Sequence, residues 1–528
     1  MSAWVRVPLT WEYVDCLDLH ELRGEDTLKV KGTSRTGQGA AGWSTGLAVA
    51  ASGTGTVAHA GVVLPRLLAD RLGLTSELSG TLARAGFVPG RDRGRVLVDT
   101  ACAVAAGASC LADVEAMTRQ VEIFGPGGGA SDTTVLRVLD EFAGHLGGSG
   151  LPGRRLASAT AKVRARAWAA VLARHGGLPA VRAGGADLAR PAVAPGQPGV
   201  PVVVIRLDAM IIFAADRKQG AEPNFKGCGF HPLTAWCSNT GEALAVMQRP
   251  GSAGSFTAAD HLGVLDAAIG QIPASWRKDL LVTVFGAGAS HEVINHLSVL
   301  NTGAAHGRRG RRVEYSIGWP VDERTRAALD KAPEAHWTPG LTAAGDADEQ
   351  GQVLELTGLL RSSVGGDLLA TWPADMRVIA RRVPRLVGEQ AQLGADPNWR
   401  YGAFVTNTPT GQLQFLDARH RTQAHVEDRI KELKACGAQR LPSASYARNS
   451  ACLQLAALGV TLLAWLRLTA LDGDLAKAEP KMLRFRLFAA PARYVRHART
   501  RTLKISNTWP WARDLAAAWA LLQALHPA

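Results

Sequence analysis

The run VVVIRLDAMIIFAA at residues 202–215 constrains the fold of this chain more than any other segment. It is almost unbroken in its apolar character and carries a single carboxylate, Asp208, near its middle. A short run rich in Val and Ile predicts a strand that is buried on both faces. A carboxylate in such a strand is costly unless a cation pairs with it. A divalent metal ion and a buried arginine would both serve, so the strand alone leaves a metal ligand and a structural ion pair as alternatives.

The residues that follow predict a defined order of strands and helices. Three strands, a helix, a strand, a helix and a strand make the order of a ribonuclease-H-like core, which is an α/β fold. In that fold, acids from the first strand, the end of the fourth strand and a late helix meet around two metal ions. After the first strand, the predicted strands are 228–238, 243–248, 280–285 and 312–319, and the predicted helices are 257–270 and 286–300.

A late helix with a suitable acid is predicted at residues 418–437. Five polar side chains recur there at spacings of three and four, which places them on one helix face. A carboxylate for metal and lysines for phosphate would suit a nuclease. A solvated helix with pairs such as Glu427–Lys431 is the alternative. The five residues are His420, Gln423, Glu427, Lys431 and Lys434.

Three longer segments carry a family resemblance. They read FKGCGFHPLTAW (225–236), RPGSAGSFTAADHLGVLDAAI (249–269) and FVTNTPTGQLQFLDARHRTQAHVEDRIKELK (404–434). The chain resembles the DDE transposases of bacterial insertion sequences, and most of all insertion-sequence family 1380 of actinobacteria. The similarity runs from about residue 58 to the C-terminus and leaves residues 1–55 outside.

The resemblance implies DNA cleavage and strand transfer at terminal inverted repeats, on a ribonuclease-H-like core with two magnesium ions, for which manganese can substitute. Its partners would be double-stranded DNA, both transposon ends and target, and a second copy of the chain. The first acid of the family corresponds to Asp208, the glutamate of the late helix to Glu427, and the lysine of that helix to Lys434.

One position departs from the family in a way that matters for chemistry. The second acid normally ends the fourth strand, and Phe285 stands in its place before Gly286. Phenylalanine cannot ligate a hard cation, which requires oxygen. The departure predicts weak or absent catalysis by this copy, unless Glu292 or Asp279 replaces the missing acid. Decay of the insertion sequence and a sequencing artefact are both compatible with it. Further departures from the family are Arg206, Met210, Phe256 and Gln423.

The charge of the chain favours a polyanionic partner. Lys plus Arg exceed Asp plus Glu by 59 to 46, which gives a formal net charge of +13 and an isoelectric point near 9.7. Cations that include Arg496 are interleaved with aromatic residues between Arg484 and Lys504. Such a stripe could follow a phosphate backbone, and a solvated helix face is the alternative. The predicted DNA-binding residues are Lys431, Lys434 and Arg496.

The N-terminal part is predicted to be mostly helical. Residues 64–86 have the pattern of a helix–turn–helix, with Leu67, Leu68 and Leu72 facing inwards, Gly73 at the turn, and Thr75 or Ser76 as cap of the second helix. An ordinary helical hairpin fits this pattern equally well.

The sequence predicts five divisions of the chain. They are an N-terminal extension (1–55), a helical DNA-binding domain (56–195), the first part of the core (200–319), a β-rich insertion (320–415) and the second part of the core (416–528).

The cysteines and the most apolar run of the chain indicate where in the cell the protein is expected. The seven cysteines contain no CxxC pair, which favours reduced thiols in the cytoplasm, here at the nucleoid. The apolar run 451–468 contains Gln454 and Arg467, so we expect a buried core helix and no association with membranes.

Two further classes of function remain open. One is a transposon-derived DNA-binding protein without catalytic activity, and the other is a different ribonuclease-H-like nuclease such as a junction resolvase.

Overall fold

The computed structural model describes residues 54–125, 127–190, 199–254, 257–286, 288–302, 310–363, 366–386 and 396–526. The chain divides into two compact units, Met1–Thr56 and Val57–Ala528, and everything below concerns the second. Residues 1–53 of the predicted extension, residues 191–198 of the Pro/Gly-rich segment that precedes the first core strand, and Phe256 lie outside the described residues.

A mixed sheet forms the centre of this unit. In the described part of the chain its order is β3-β2-β1-β4-β5-β9-β8-β7-β6. Strand β2 runs antiparallel to β1 and β3, whereas β4 runs parallel to both β1 and β5. The strands are β1 (Val203–Ala209), β2 (Leu233–Cys237), β3 (Ala243–Met247), β4 (Asp279–Val284), β5 (Arg312–Trp319), β6 (Thr338–Leu341), β7 (Ala347–Glu355), β8 (Arg377–Pro384) and β9 (Trp399–Thr406).

Two predicted strands are each divided in the structure. The run 202–215 forms β1, which ends at Ala209, and the separate short strand Ile212–Phe213. The run 228–238 is interrupted at Pro232, which has no backbone N–H to donate to a ladder. Its first part, Gly227–Phe230, pairs with Ile212–Phe213 and Glu222–Asn224 in a separate small sheet. Its second part is β2, and a tight turn at 239–241 joins β2 to β3.

The two faces of the central strands differ in character. Alternate residues Val203, Ile205 and Leu207 lie in an apolar core. Helices α8 (Ala258–Gln271) and α9 (His291–Leu300) supply that core with further apolar side chains. Because side chains alternate along a strand, Arg206 and Asp208 project from the opposite face. That face is covered by the late helices and is the polar one.

The insertion at 320–415 extends the same sheet. Strand β9 pairs antiparallel with β5, and β8, β7 and β6 follow outward in turn. Trp319 at its entrance contacts the ring of Trp372 edge to face at 5.1 Å and donates from Nε1 to Thr325 Oγ1 at 3.1 Å. Trp319 is therefore a packed residue. The insertion also contains α10 (Glu323–Asp330) and α11 (Thr357–Arg361).

Helices from both ends of the second unit share one hydrophobic core. A 25-residue helix, α14, is long and apolar enough to span a membrane, but 78% of its most apolar window is buried inside the protein. The N-terminal helices are α1 (Val63–Arg71), α2 (Leu74–Leu82), α3 (Arg93–Ala106), α4 (Leu111–Thr118), α5 (Val121–Phe124), α6 (Asp132–Ala143) and α7 (Arg154–His175). The late elements are α12 (Leu413–Arg421), α13 (Val426–Leu433), α14 (Tyr446–Ala470), α15 (Gly473–Ala476), α16 (Pro480–Leu483), the hairpin β10 (Ala492–His497) and β11 (Thr500–Ile505), and α17 (Ala512–Ala524).

Helices α1 and α2 occupy the segment with the helix–turn–helix pattern. Gly73 sits between them with φ 75° and is itself the N-cap of α2, so the expected cap at Thr75 or Ser76 is wrong. Thr75 donates instead to Asp70 Oδ1 at 2.6 Å. Helix α2 packs on α3 and α7, and Glu77 on it pairs with Arg166 at 3.1 Å.

Candidate active site

Asp208 lies near the carboxyl end of β1, on the polar face of the sheet. Its carboxylate accepts a hydrogen bond from the backbone N–H of Ala209 at 2.9 Å. No basic side chain in the described ranges lies within ion-pair distance of it, so the structure shows no buried ion pair of the kind that the strand alone left open. Burial, and then the nearby charge of Glu427, raise the pKa of Asp208 to about 6.

The predicted helix that carries Glu427 is divided into shorter elements in the structure. Helix α12 ends at Arg421, a 3₁₀ turn spans Thr422–His425, and α13 begins at Val426. The prediction of one continuous helix over 418–437 is therefore wrong. Glu427 lies in the first turn of α13 with its side chain exposed, near enough to Asp208 to influence its pKa.

Phe285 follows the last residue of β4 and stands beside Asp208. In the parallel pairing of β4 with β1, Val284 is opposite Leu207, so the next residue on each strand is Phe285 and Asp208. Phe285 belongs to the same alternation as Thr283, which faces the polar side of the sheet. The family's second acid would thus stand next to the first, and here the side chain at that position is a half-exposed phenyl ring.

The ring of Phe285 is held by an aromatic stack. It lies parallel to His420, with ring centroids 6.3 Å apart, and His420 stacks in turn on Phe404 at 4.4 Å. Burial is the main cause that lowers the pKa of His420, to about 3, so the imidazole is neutral at physiological pH. The stack gives this corner of the site an apolar lining.

Beneath the site lies a buried cation without a carboxylate partner among the described residues. Arg206 is 1% exposed, and its guanidinium donates to hydroxyl groups of Ser238 at 2.7 Å, Thr422 at 2.8 Å and Thr283 at 3.4 Å. Burial lowers its pKa to about 10, so it stays charged. After the larger effect of burial, the charge of Arg206 contributes to the lowered pKa of His425.

Gln423 ties the late helices to the sheet at the same place. It is fully buried, and its amide donates to the carbonyl oxygen of Leu207 at 2.8 Å. Its carbonyl oxygen accepts from the hydroxyl of Thr283. Gln423 is therefore a structural residue that fixes the 3₁₀ turn over the strand that carries Asp208.

These features can be compared with known proteins. The family model for the transposase DDE domain, group 1, matches residues 42–527. This chain belongs to the DDE transposase family. The match begins before residue 58, so the family similarity includes residues 42–55, which the sequence analysis left outside.

One solved structure that resembles this chain is the cryo-EM structure of a piggyBac transposase synaptic complex with hairpin DNA. Its sequence is 8% identical to the sequence of this chain, and the two align with a TM-score of 0.35 over 82% of this chain and 79% of that chain. No curated protein matches the chain.

The transposase chain does not present a ligand set for two metal ions. In the ranges that the structure describes, no group of three or more Asp, Glu, His or Cys side chains could hold a metal. Asp208 and Glu427 are the two carboxylates at the site, and Phe285 is at the position where the family resemblance implies a third. Asp279 lies at the other end of β4, six residues before Phe285, which corresponds to about 20 Å at about 3.3 Å per residue. Glu292 is exposed on the first turn of α9. Neither of them completes the set.

The three predicted DNA-binding residues lie in different settings. Lys431 is exposed and pairs with Asp428 at 3.1 Å, which reduces its freedom to bind phosphate. Lys434 is half-buried at the end of α13, where burial and then Lys226 lower its pKa. Arg496 is exposed on the C-terminal hairpin, which is a β-hairpin and not the helix of the alternative interpretation.

Proposed function

We propose that this transposase chain binds the terminal inverted repeats of an insertion sequence, of family 1380 as found in actinobacteria, and that Phe285 impairs its own DNA cleavage and strand transfer. The core is of the ribonuclease-H-like type. This assignment is supported by the order β3-β2-β1-β4-β5, with only β2 antiparallel among the five strands, and by helices after β3 and β4.

One observation carries the proposal of impaired catalysis. Phe285 is the strand neighbour of Asp208 and projects to the same face, as the family's second acid would. Two carboxylates offer a divalent ion, magnesium or manganese, fewer oxygen ligands and less negative charge than three carboxylates. In an intact DDE transposase, divalent ions supply the activation of the attacking oxygen and the stabilisation of the phosphate charge. The described residues of this chain supply only Asp208 and Glu427 as carboxylates for that chemistry.

The remaining residues suit DNA binding. Lys434, and to a lesser degree Lys431, would bind phosphates of the transposon end, and the basic C-terminal hairpin with Arg496 would bind a second stretch of the duplex. The excess of positive charge over the chain agrees with this. Because two transposon ends must be brought together, we further propose a homodimer on DNA, at the nucleoid in the cytoplasm.

The lack of a third carboxylate among the described residues of the site also favours a second function. A transposon-derived protein that occupies the inverted repeats without cutting them would need Lys434 and the basic hairpin but no acid at position 285. Such a protein would compete with intact transposase copies for the ends.

The proposal is tested by DNA binding and cleavage with the chain as given. Labelled duplexes would carry either the inverted repeats that flank the gene or a shuffled sequence, at physiological salt with magnesium. We expect preferential binding of the repeats, by at least about a hundredfold, and no nicked product. Equal affinity for both duplexes would overturn the assignment as an end-binding protein, and nicking that Asp208→Ala abolishes would overturn the proposed impairment.

A further inference from the structure

An unusual hairpin tip lies close to the candidate site. Asn224 and Gly227 are paired across a tight turn, so Phe225 and Lys226 are its two central residues. Such turns normally hold Gly, Asn or Asp. The backbone N–H of Lys226 donates to the side chain of Asn224 at 2.9 Å, which fixes the turn. Phe225 is 76% exposed, so the hairpin presents an aromatic ring that stabilises no core.

A second exposed ring lies on the neighbouring strand. Phe213 is 61% exposed and comes four residues after Ala209, the last residue of β1. Its ring lies over Gly227, where a Cβ atom would be 3.5 Å from it. A Cβ atom on Gly229 would lie 2.0 Å from the carbonyl oxygen of Ile212, so the two strands approach closely and hold the ring in place. Both rings are presented by one small, tightly packed sheet.

Two lysines accompany the rings. The ammonium group of Lys226 lies 5.5 Å from the ring centroid of Phe225. Lys226 also lowers the pKa of Lys434, after the larger effect of burial, so the two ammonium groups are near one another. No carboxylate in the described part of the chain pairs with either lysine. Uncompensated cations next to exposed aromatic faces are the features that bind single-stranded nucleic acid.

We propose that Phe213, Phe225, Lys226 and Lys434 form a seat for unpaired nucleotides at the DNA end, with bases stacked on the rings and phosphates bound by the lysines. The seat rests on the proposed function, because it assigns a place on this chain to part of the transposon end. It does not depend on catalysis. Phe213 comes four residues after β1, the strand that ends with Asp208 and Ala209, and Lys434 directly follows α13, the helix of Glu427.

The test uses the full chain in EDTA and two duplexes of the same repeat sequence, one fully paired and one with unpaired terminal nucleotides that include 2-aminopurine. We expect the unpaired end to bind more tightly and its fluorescence to be quenched. The double variant Phe213→Ala, Phe225→Ala should lose that quenching and bind the unpaired end at least about tenfold more weakly. Phe87→Ala removes another exposed ring and serves as the matched control.

Several outcomes separate this inference from the proposed function. If the paired duplex binds but the unpaired end shows no extra affinity, or the double variant keeps the quenching, the seat is wrong and end binding stands. If neither duplex binds, the proposed function fails and the seat with it. Lys226→Gln should reduce the slope of log affinity against log salt for the unpaired end by up to about 0.7, and it should leave the melting temperature of the protein unchanged. This combination distinguishes a phosphate contact from a structural role of Lys226.

Discussion

Phe285 and Asp208 each come one residue after the last parallel pair of β4 and β1, Val284 opposite Leu207, so the strand register brings the two residues next to each other. The exchange of an acid for an aromatic ring at this place does more than delete a ligand. The ring lies on His420, which is neutral and stacked on Phe404, so an apolar surface stands where negative charge is needed. We propose that the fold that would bring three acids together is kept, while a single residue interrupts the chemistry that it serves.

The raised pKa of Asp208 predicts a stability effect that depends on pH. Because burial, and then Glu427, raise the pKa from 3.8 to about 6, the native state binds more protons than the unfolded state between these values. Stability therefore falls as pH rises through that window, and the whole penalty is present above it. We expect Asp208→Asn to raise the free energy of unfolding by about 2 kcal/mol near pH 8 and by little near pH 4.

Urea unfolding at the two pH values checks this prediction. Asp428→Asn, which changes an exposed carboxylate on the same helix as Glu427, is the control and should show little pH-dependent gain. A gain for Asp208→Asn that is equal at both pH values would show that the effect is not the ionisation of this carboxyl.

Restoring an acid at position 285 should create metal affinity. Phe285→Asp places a third carboxylate beside Asp208 and Glu427, which should lower stability without metal and raise it with manganese. A ligand at about a hundred times its dissociation constant stabilises by about 2.7 kcal/mol. We expect about 10 mM manganese to raise the melting temperature of this variant by at least about 2 °C more than that of the unchanged chain. Phe285→Asn, with similar shape and no charge, should respond much less.

The sequence predicts the strands of the core well because their apolar runs are long and regular. It predicts Asp208 and Glu427 through the same strands and the family pattern, and the structure sets them near one another. It does not predict the 3₁₀ turn at 422–425, because the polar spacing of that segment is compatible with a continuous helix. Nor does it show that β9 pairs with β5, since non-local pairing leaves no local signal.

Contacts between distant residues are missed for the same reason. Glu242 is fully buried and accepts hydrogen bonds from Arg164 at 2.7 Å, Trp168 at 2.6 Å, Thr240 at 2.7 Å and Trp465 at 2.8 Å. The partners come from α7, from the turn before β3 and from α14. This carboxylate joins the helical region to the central sheet, and no sequence pattern marks it.

Removing that carboxylate should destabilise the whole unit. Glu242→Ala leaves the buried guanidinium of Arg164 without its ion pair, which typically costs about 3–5 kcal/mol. Glu242→Gln keeps the shape and some hydrogen bonds, and we expect a smaller loss. Urea unfolding measures both, and equal losses for the two variants would show that the charge of Glu242 is not what matters.

The C-terminal hairpin should bind DNA at a cost in stability. Arg496 is directly opposite Arg501, and Arg493 is directly opposite Lys504, all of them exposed. Like charges in directly opposed positions destabilise a β-hairpin. Neutralising three of these residues should therefore weaken DNA binding without lowering the melting temperature, an outcome that a purely structural role would not give.

The hairpin prediction is measured as the salt dependence of binding. The triple variant Arg496→Gln, Arg501→Gln, Lys504→Gln should reduce the slope of log affinity against log salt by about 2 to 3. A control variant removes three exposed cations elsewhere, and it should keep most of the slope. An equal reduction for both variants would show that net charge alone, and not the hairpin, governs binding. The control is Lys278→Gln, Arg324→Gln, Lys331→Gln.

The central claim, that one substitution interrupts a transposase site, is tested most directly by cleavage of labelled terminal inverted repeats with magnesium or manganese. The chain as given would be compared with Phe285→Asp and with Phe285→Asp combined with Asp208→Ala. We predict nicked ends only with Phe285→Asp. Cleavage by the chain as given, lost on Asp208→Ala alone, would contradict the account and show that another group completes the site.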